Sequence, residues 1–300
     1  MAMNSKNKNA IRDSKSDKVL YFVTGALLLA FTVTVIYPLI FIVSCSFSSA
    51  HAVNSGRVVL LPVDFSLTGY QAVFNYHRVT TGYGNTIFYT VAGTVLNLII
   101  TLITAYPLAM PGFQFKRGYS LLFTFTMFFS GGLVPAYLLN SSLGLVNSPW
   151  VMLIPGMLSV YNMIVTRTFI QNSIPVELLE ASQIDGCSWF GYFFKIVLPL
   201  SKAVIAVITL YYAVGHWNAY FNAMIYLNDR HLHPLQLVLR EILVENSIDN
   251  LDVDTEDANA ALAELLKYAL IVVATVPILC VYPFVQKYFM KGVMIGSVKG

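Results

Sequence analysis

Residues 172–200 read NSIPVELLEASQIDGCSWFGYFFKIVLPL, a polar island between two long apolar runs. Asn172 and Ser173 are candidate caps, and Pro175 suits a first helical turn, where its missing N–H has no intrahelical partner. Val176 to Asp185 are mostly good helix formers, and Gly186 is a natural stop because it accepts the left-handed conformation beyond a helix end. Ser188 then caps a second helix over Trp189 to Leu198, which Pro199 ends or kinks as the next apolar run begins. The spacing predicts two short helices at a sharp angle, lying at a membrane surface rather than crossing it. Such an object is built for docking.

The rest of the chain supplies the membrane. It has 300 residues, 57% of them hydrophobic and 11% charged, with a mean hydropathy of +0.67. That is too apolar for a soluble domain of this size and defines a polytopic integral membrane protein. The 18 basic and 15 acidic residues give no reason to expect a nucleic-acid partner. Cys45, Cys187 and Cys280 are far apart, in or beside apolar segments, and read as small buried hydrophobes rather than a disulfide framework or metal site.

Residues 1–18 are a polar, basic tail, expected to be disordered at the membrane surface. The apolar run from Val19 to about Phe47 is longer than a signal-peptide core and reads as an uncleaved first span containing Pro38. A polar loop covers 48–83. The second span runs from about Asn85 to Met110, and Pro111-Gly112 ends it. The third, roughly Tyr119 to Leu139, is interrupted by Ser130-Gly131-Gly132 and Pro135, so a bend or unwound stretch is expected there. The fourth covers Trp150 to Ile170 and the fifth Leu200 to Ile225. An acidic loop over 227–262 contains Asp229, Glu241, Glu245, Asp249, Asp252, Asp254, Glu256 and Asp257. The sixth span, Leu265 to Phe284, leads to the tail 285–300. Each span has about the 20 residues that a ~30 Å hydrocarbon core requires.

Basic residues orient the spans. Thirteen fall in the N-terminal tail, the 111–118 turn, the connection between the fourth and fifth spans, and the C-terminal tail. The opposite side holds Arg57, Arg78, Arg230 and Arg240, with Lys267 opening the sixth span. Both termini and the docking segment are therefore expected in the cytoplasm, and the loops 48–83 and 227–262 outside.

Glu180-Ala181-Ser182, three residues, Gly186, nine residues, then Ile196-Val197-Leu198-Pro199 resembles the EAA loop of ABC importer permeases, with Ser182 in place of the second alanine. The resemblance implies an all-α, six-helix transmembrane domain of type I ABC importer architecture over 19–300, with 172–200 as its coupling loop between the fourth and fifth helices. In the family this loop sits in a cleft of the cytoplasmic ATPase. By resemblance, Glu177, Glu180, Ala181, Ser182, Asp185, Gly186, Ile196, Leu198 and Pro199 are the coupling residues. Glu180 would ion-pair with a basic residue of the ATPase, Gly186 would make the turn, and Ala181 and Ser182 would allow close packing. Glu177 reads equally as a partner contact or as a solvated face.

The source of energy follows from what the spans lack. Their cores are almost free of ionisable groups, whereas ion-coupled transporters keep acidic or histidine residues near the midplane. His216 is the lone candidate, and a histidine beside Trp217 is more often packed or interfacial. No G-x-x-x-x-G-K-[ST] loop occurs, so ATP and Mg are expected on a partner ATPase and no cofactor on this chain. Nor is there Cys/His metal spacing, a G-x-S-x-G elbow or a carboxylate pair for catalysis. A docking segment without a motor implies a separate motor, so the chain reads as a transport subunit and not an enzyme. An ion-coupled sugar transporter or channel working alone is the competing reading, and a membrane-embedded enzyme using the acids at 249–257 is a third.

Tyr211, Tyr212, Trp217, Asn218, Tyr220 and Asn222 mark a candidate substrate path, since aromatic faces stack on sugar C–H faces and amides bond hydroxyls. An aromatic belt at the outer interface is the simpler reading of the same residues. Trp217-Asn218 resembles the maltose-type sugar permeases. The run Phe128 to Pro135 and the tail from Gln286 to Gly300 resemble the branch handling complex oligosaccharides, including uronate polymers such as alginate or pectin fragments. That resemblance implies a second, similar permease subunit, two ATPase subunits, an external solute-binding protein and a saccharide substrate, in a bacterial inner membrane. Lys287 to Gly300 would either reach the ATPase dimer or act as a basic flank.

Overall fold

The computed structural model describes residues 14–245, 264–280 and 283, and every regular element among these is a helix. The expectations for 1–13, for the acids at 249–257 and for the tail 285–300 lie outside the described residues.

The first helix, Lys15–Ser46, opens with a reciprocal capping box between Ser14 and Asp17 and runs through Pro38. It spans about 48 Å, well beyond a ~30 Å hydrocarbon core. Its apolar side chains project on every side, and it packs on the other described residues near its end, through Phe41, Ser44, Cys45 and Ser46. A helix that is hydrophobic all round belongs in lipid or against another apolar surface.

The helix His77–Ala109 is of similar length but patterned differently, and it is the centre of the fold. One face carries Thr86, Tyr89, Gly93, Asn97, Thr101, Ala105 and Leu108, all buried and spaced three or four residues apart. Small and polar residues on one face let helices approach closely inside a membrane, where apolar burial gives no drive for association. Against this face lie Lys202–Trp217 and Val160–Ser173. Leu98, Val165 and Phe169 close around Val204, Ile208 and Tyr212 at the junction.

The remaining spans differ from their sequence expectations in instructive ways. The third breaks as expected, into Lys116–Phe128 and Leu133–Ser142, bent by 111°. The fourth is not a continuous helix from Trp150 to Ile170: a 3-10 turn at Pro149–Met152 precedes a helix only over Val160–Ser173. Pro155 and Gly156, the latter at φ +76°, break it. Fourteen helical residues cover only about 21 Å, so irregular backbone must fill the rest, which is tolerated where protein satisfies it. Tyr212 does so: its hydroxyl accepts the Ser159 N–H at 3.2 Å and lies 2.6 Å from Thr101 Oγ1.

The fifth span stops at Trp217 and resumes as Tyr220–Tyr226. The sixth is described over 264–280, and the Trp217 indole N–H donates to the Ala274 carbonyl within it at 3.0 Å.

The two expected outer loops carry helices of their own. Ala50–Asn54 and Thr68–Asn75 lie within 48–83, and Leu235–Glu245 within 227–262. The last is strapped to the start of the central helix. Asn85 donates to the His231 and His233 carbonyls, the Tyr89 hydroxyl to the Leu232 carbonyl, and Thr86 Oγ1 accepts the Leu235 N–H. Arg78 and His233 both meet the Glu241 carboxylate, His233 at 3.2 Å. Glu241, expected among solvated acids, is instead largely buried and paired. Of the cysteines, Cys45 is buried and Cys187 half-buried, but Cys280 is exposed.

Candidate functional site

The docking segment folds locally. Asn172 and Ser173 do not cap its first helix; they lie at the end of Val160–Ser173. Pro175 takes the cap position of Val176–Ile184 with no side-chain cap. The far end closes on backbone alone: the Cys187 N–H bonds the Ser182 carbonyl at 2.8 Å, and the Gly186 N–H bonds the Gln183 carbonyl at 3.0 Å. With Gly186 at φ +70° this is a Schellman closure, which a side chain at that position would strain. Ser188 caps the second helix by accepting the Gly191 N–H at 3.1 Å. That helix does not run regularly to Leu198: it passes into a π-type turn at Phe193–Val197. Pro199 follows and leaves the Lys195 carbonyl without its usual helical donor. Trp189–Leu200 and Lys202–Trp217 then meet at 78°.

One side of this segment anchors it. Leu179, Tyr192 and Val197 are buried against Ala109, Met110, Ile170 and Ile174, with Ile196 packed alongside. Tyr106 on the central helix donates to the Trp189 carbonyl at 2.9 Å. Ser182 faces this core and turns its hydroxyl back to the Leu179 carbonyl at 2.7 Å. A small side chain fits there, and the serine hydroxyl is satisfied by the backbone of its own helix. Leu198 is half-buried and Pro199 exposed.

The other side faces out. Glu177, Glu180, Ala181 and Asp185 are exposed, Ile184 is 87% exposed, and Phe190 79%. None of the ion pairs among the described residues involves the three carboxylates. A cleft of about 860 Å³ opens between the segment and the end of the central helix, with Tyr106, Met110, Phe113, Val176, Glu180 and Trp189 on its walls. The surface is thus an apolar knob ringed by acids, held rigidly from behind.

The structure divides the six candidate path residues. Tyr212 and Trp217 are buried and have their polar atoms engaged, and Trp217 also meets Tyr83 edge-on at 5.9 Å. Tyr211, Asn218, Tyr220 and Asn222 are exposed, and the Asn218 amide caps its own helix by donating to the Val214 carbonyl. His216 lies over Gly93, where an added Cβ would fall 2.4 Å from the ring, and its Nε2 is 3.3 Å from Asn97 Oδ1. It is a packed residue with a neutral partner. Among the described residues no group of three or more His, Cys, Asp or Glu could hold a metal ion.

The comparisons with known proteins place this helical body in a family. Residues 79–295 match the family described as binding-protein-dependent transport system inner membrane component, and the chain belongs to that family. It is a permease subunit of an ABC transporter and not an enzyme. It is 40% identical over 274 residues to the polygalacturonan/rhamnogalacturonan transport system permease protein YtcP of Bacillus subtilis (strain 168), covering 91% of this chain and 96% of that one. To LplC of the same organism it is 41% identical over 265 residues, 88% of this chain and 90% of the other. Among solved structures, a chain of a bacterial ABC transporter involved in the import of the acidic polysaccharide alginate superposes with a TM-score of 0.86. That chain is 37% identical, and the match covers 93% of this chain and all of that one.

Proposed function

We propose that this chain is one of two permease subunits of an ATP-driven importer for oligosaccharides or polysaccharide fragments built on uronic acids. The observation that carries the coupling role is the docking segment. Its inner face is locked to the central helix while Ile184, Phe190 and three carboxylates face outward. An exposed apolar patch rimmed by charge is the form of a protein-binding surface, and its acids suit a basic cleft on an ATPase. The substrate class is supported by the relatives, which carry polygalacturonan and alginate in their names.

In this reading six spans cross the inner membrane over 19–300, and both termini and the loop 172–200 are cytoplasmic. Two ATPase subunits bind ATP and Mg. Their closure draws the docking loops of the two permeases together and turns the cavity outward, and hydrolysis resets it. The segments 48–83 and 227–262 receive an external binding protein. Tyr211, Asn218, Tyr220 and Asn222 remain available to sugar, while Tyr212 and Trp217 hold the helices that present them.

Reconstitution in proteoliposomes with the partner subunits and binding protein tests this. Uptake of labelled oligogalacturonate should require ATP and exceed that of a neutral maltooligosaccharide at least tenfold. Equal uptake of both would defeat the uronate assignment. Uptake driven by an ion gradient without ATP would defeat the coupling role.

A further inference from the structure

Lys116 and Arg117 open the helix Lys116–Phe128, and Arg167 faces them from Val160–Ser173. With Ser120, Leu121, Thr124 and Ile164 they line an open pocket of about 570 Å³. No acidic side chain lines it. Arg167 Nη1 donates to Ser120 Oγ at 2.9 Å, yet its Nε is buried without a hydrogen-bond partner. Lys116 Nζ reaches only the Met110 carbonyl, at 3.5 Å. Three positive charges around one cavity repel one another and are costly to desolvate, and an anion placed among them relieves both.

The surroundings select the anion. Leu121 is 72% exposed and Phe125, one turn further, is 54% exposed, so an apolar stripe climbs the same helix from the cations toward the bilayer. No aromatic side chain lines the pocket, so a sugar ring would find nothing to stack on. Lys116 also borders a second cavity that reaches Leu179 and Tyr192 of the docking segment, which puts the cations at the level where the cytoplasmic leaflet's headgroups lie in the proposed orientation. Basic pockets between helices on that side suit anionic lipid headgroups.

We propose that this pocket binds the phosphodiester headgroup of an anionic phospholipid, with Lys116, Arg117 and Arg167 holding the phosphate and an acyl chain lying along Leu121 and Phe125. The docking loop and the lipid then share Lys116 as a common neighbour.

Native mass spectrometry of the full chain in mild detergent, titrated with phosphatidylglycerol and with phosphatidylcholine, tests this. Wild type should take phosphatidylglycerol more tightly. Lys116→Gln, Arg117→Gln and Arg167→Gln should each weaken that binding roughly fivefold, as expected for one charge at a lipid surface, and the triple variant should lose the preference. Lys116→Arg should keep it, and Arg57→Gln, whose ion pair with Asp64 is exposed and elsewhere in the chain, should not change it. If the triple variant unfolds, as circular dichroism would reveal, the single variants decide. Unchanged phosphatidylglycerol preference in the charge variants overturns the proposal. So does inorganic phosphate or digalacturonate binding as tightly as the lipid and displacing it, because the pocket is then a site for free anions.

Discussion

The two ends of this permease treat charge in opposite ways. Where Leu235–Glu245 crosses the start of the central helix, Glu241 is enclosed between Arg78 and His233, and the neighbouring backbone groups are bonded by Asn85, Thr86 and Tyr89. At the docking segment, Glu177, Glu180 and Asp185 stand in solvent beside Ile184 and Phe190. The first arrangement satisfies charge within the chain and ties together segments remote in sequence. The second leaves charge and apolar surface for something outside it. A substitution at the first end should therefore damage folding, and one at the second should damage assembly and leave folding intact.

The largest effect should come from Glu241→Gln. Removing one partner of a largely buried pair leaves Arg78 uncompensated, and a loss of about 3 kcal/mol or more is expected, read as a lowered unfolding midpoint in detergent. Arg78→Met combined with Glu241→Leu should cost less than Glu241→Gln alone, because no lone charge remains. If the double variant is the worse of the two, the ion pair is not what ties this end.

Gly93→Ala probes the region between the two ends. Its methyl would meet the His216 ring at 2.4 Å, so the ring or the span that carries it must shift, at a cost of about 1–3 kcal/mol in the same unfolding measurement. His216→Ala should restore most of it. At the docking end, Gly186→Ala should lose about 1 kcal/mol from the strained left-handed backbone, and Gly186→Asn less. Ile184→Ser should be smallest in stability, within about 0.5 kcal/mol, while capture of the ATPase falls sharply. Equal losses of stability and capture would erase the difference between the two ends.

The local fold of 172–200 was legible in the sequence because its determinants are local. A left-handed glycine, a capping serine and a proline act on residues within a few positions of themselves, so Gly186, Ser188 and Pro199 mark its turn, cap and bend. The break in the third span was readable for the same reason. What escaped were pairings across the chain. Arg78 and Glu241 lie 163 residues apart, and an acidic run such as 241–257 reads as solvated until its partner is known. The irregular fourth span was hidden because Val151, Met152 and Leu153 are apolar and buried whether or not they are helical; Pro155-Gly156 was the signal available. Tyr212 and Trp217 carried the composition of a sugar path, but composition does not tell an aromatic ring open to ligand from one whose polar atom holds a neighbouring helix.

The most direct measurement is purification of the full chain from its own membranes in mild detergent, with co-purifying subunits identified by mass. Wild type is compared with Ile184→Asp and Gly186→Pro. Wild type should bring down an ATPase and a second permease; both variants should keep the permease and lose the ATPase. If Ile184→Asp retains the ATPase at wild-type levels, or wild type runs alone under every gentle condition, the exposed face of the docking segment is not where the motor binds.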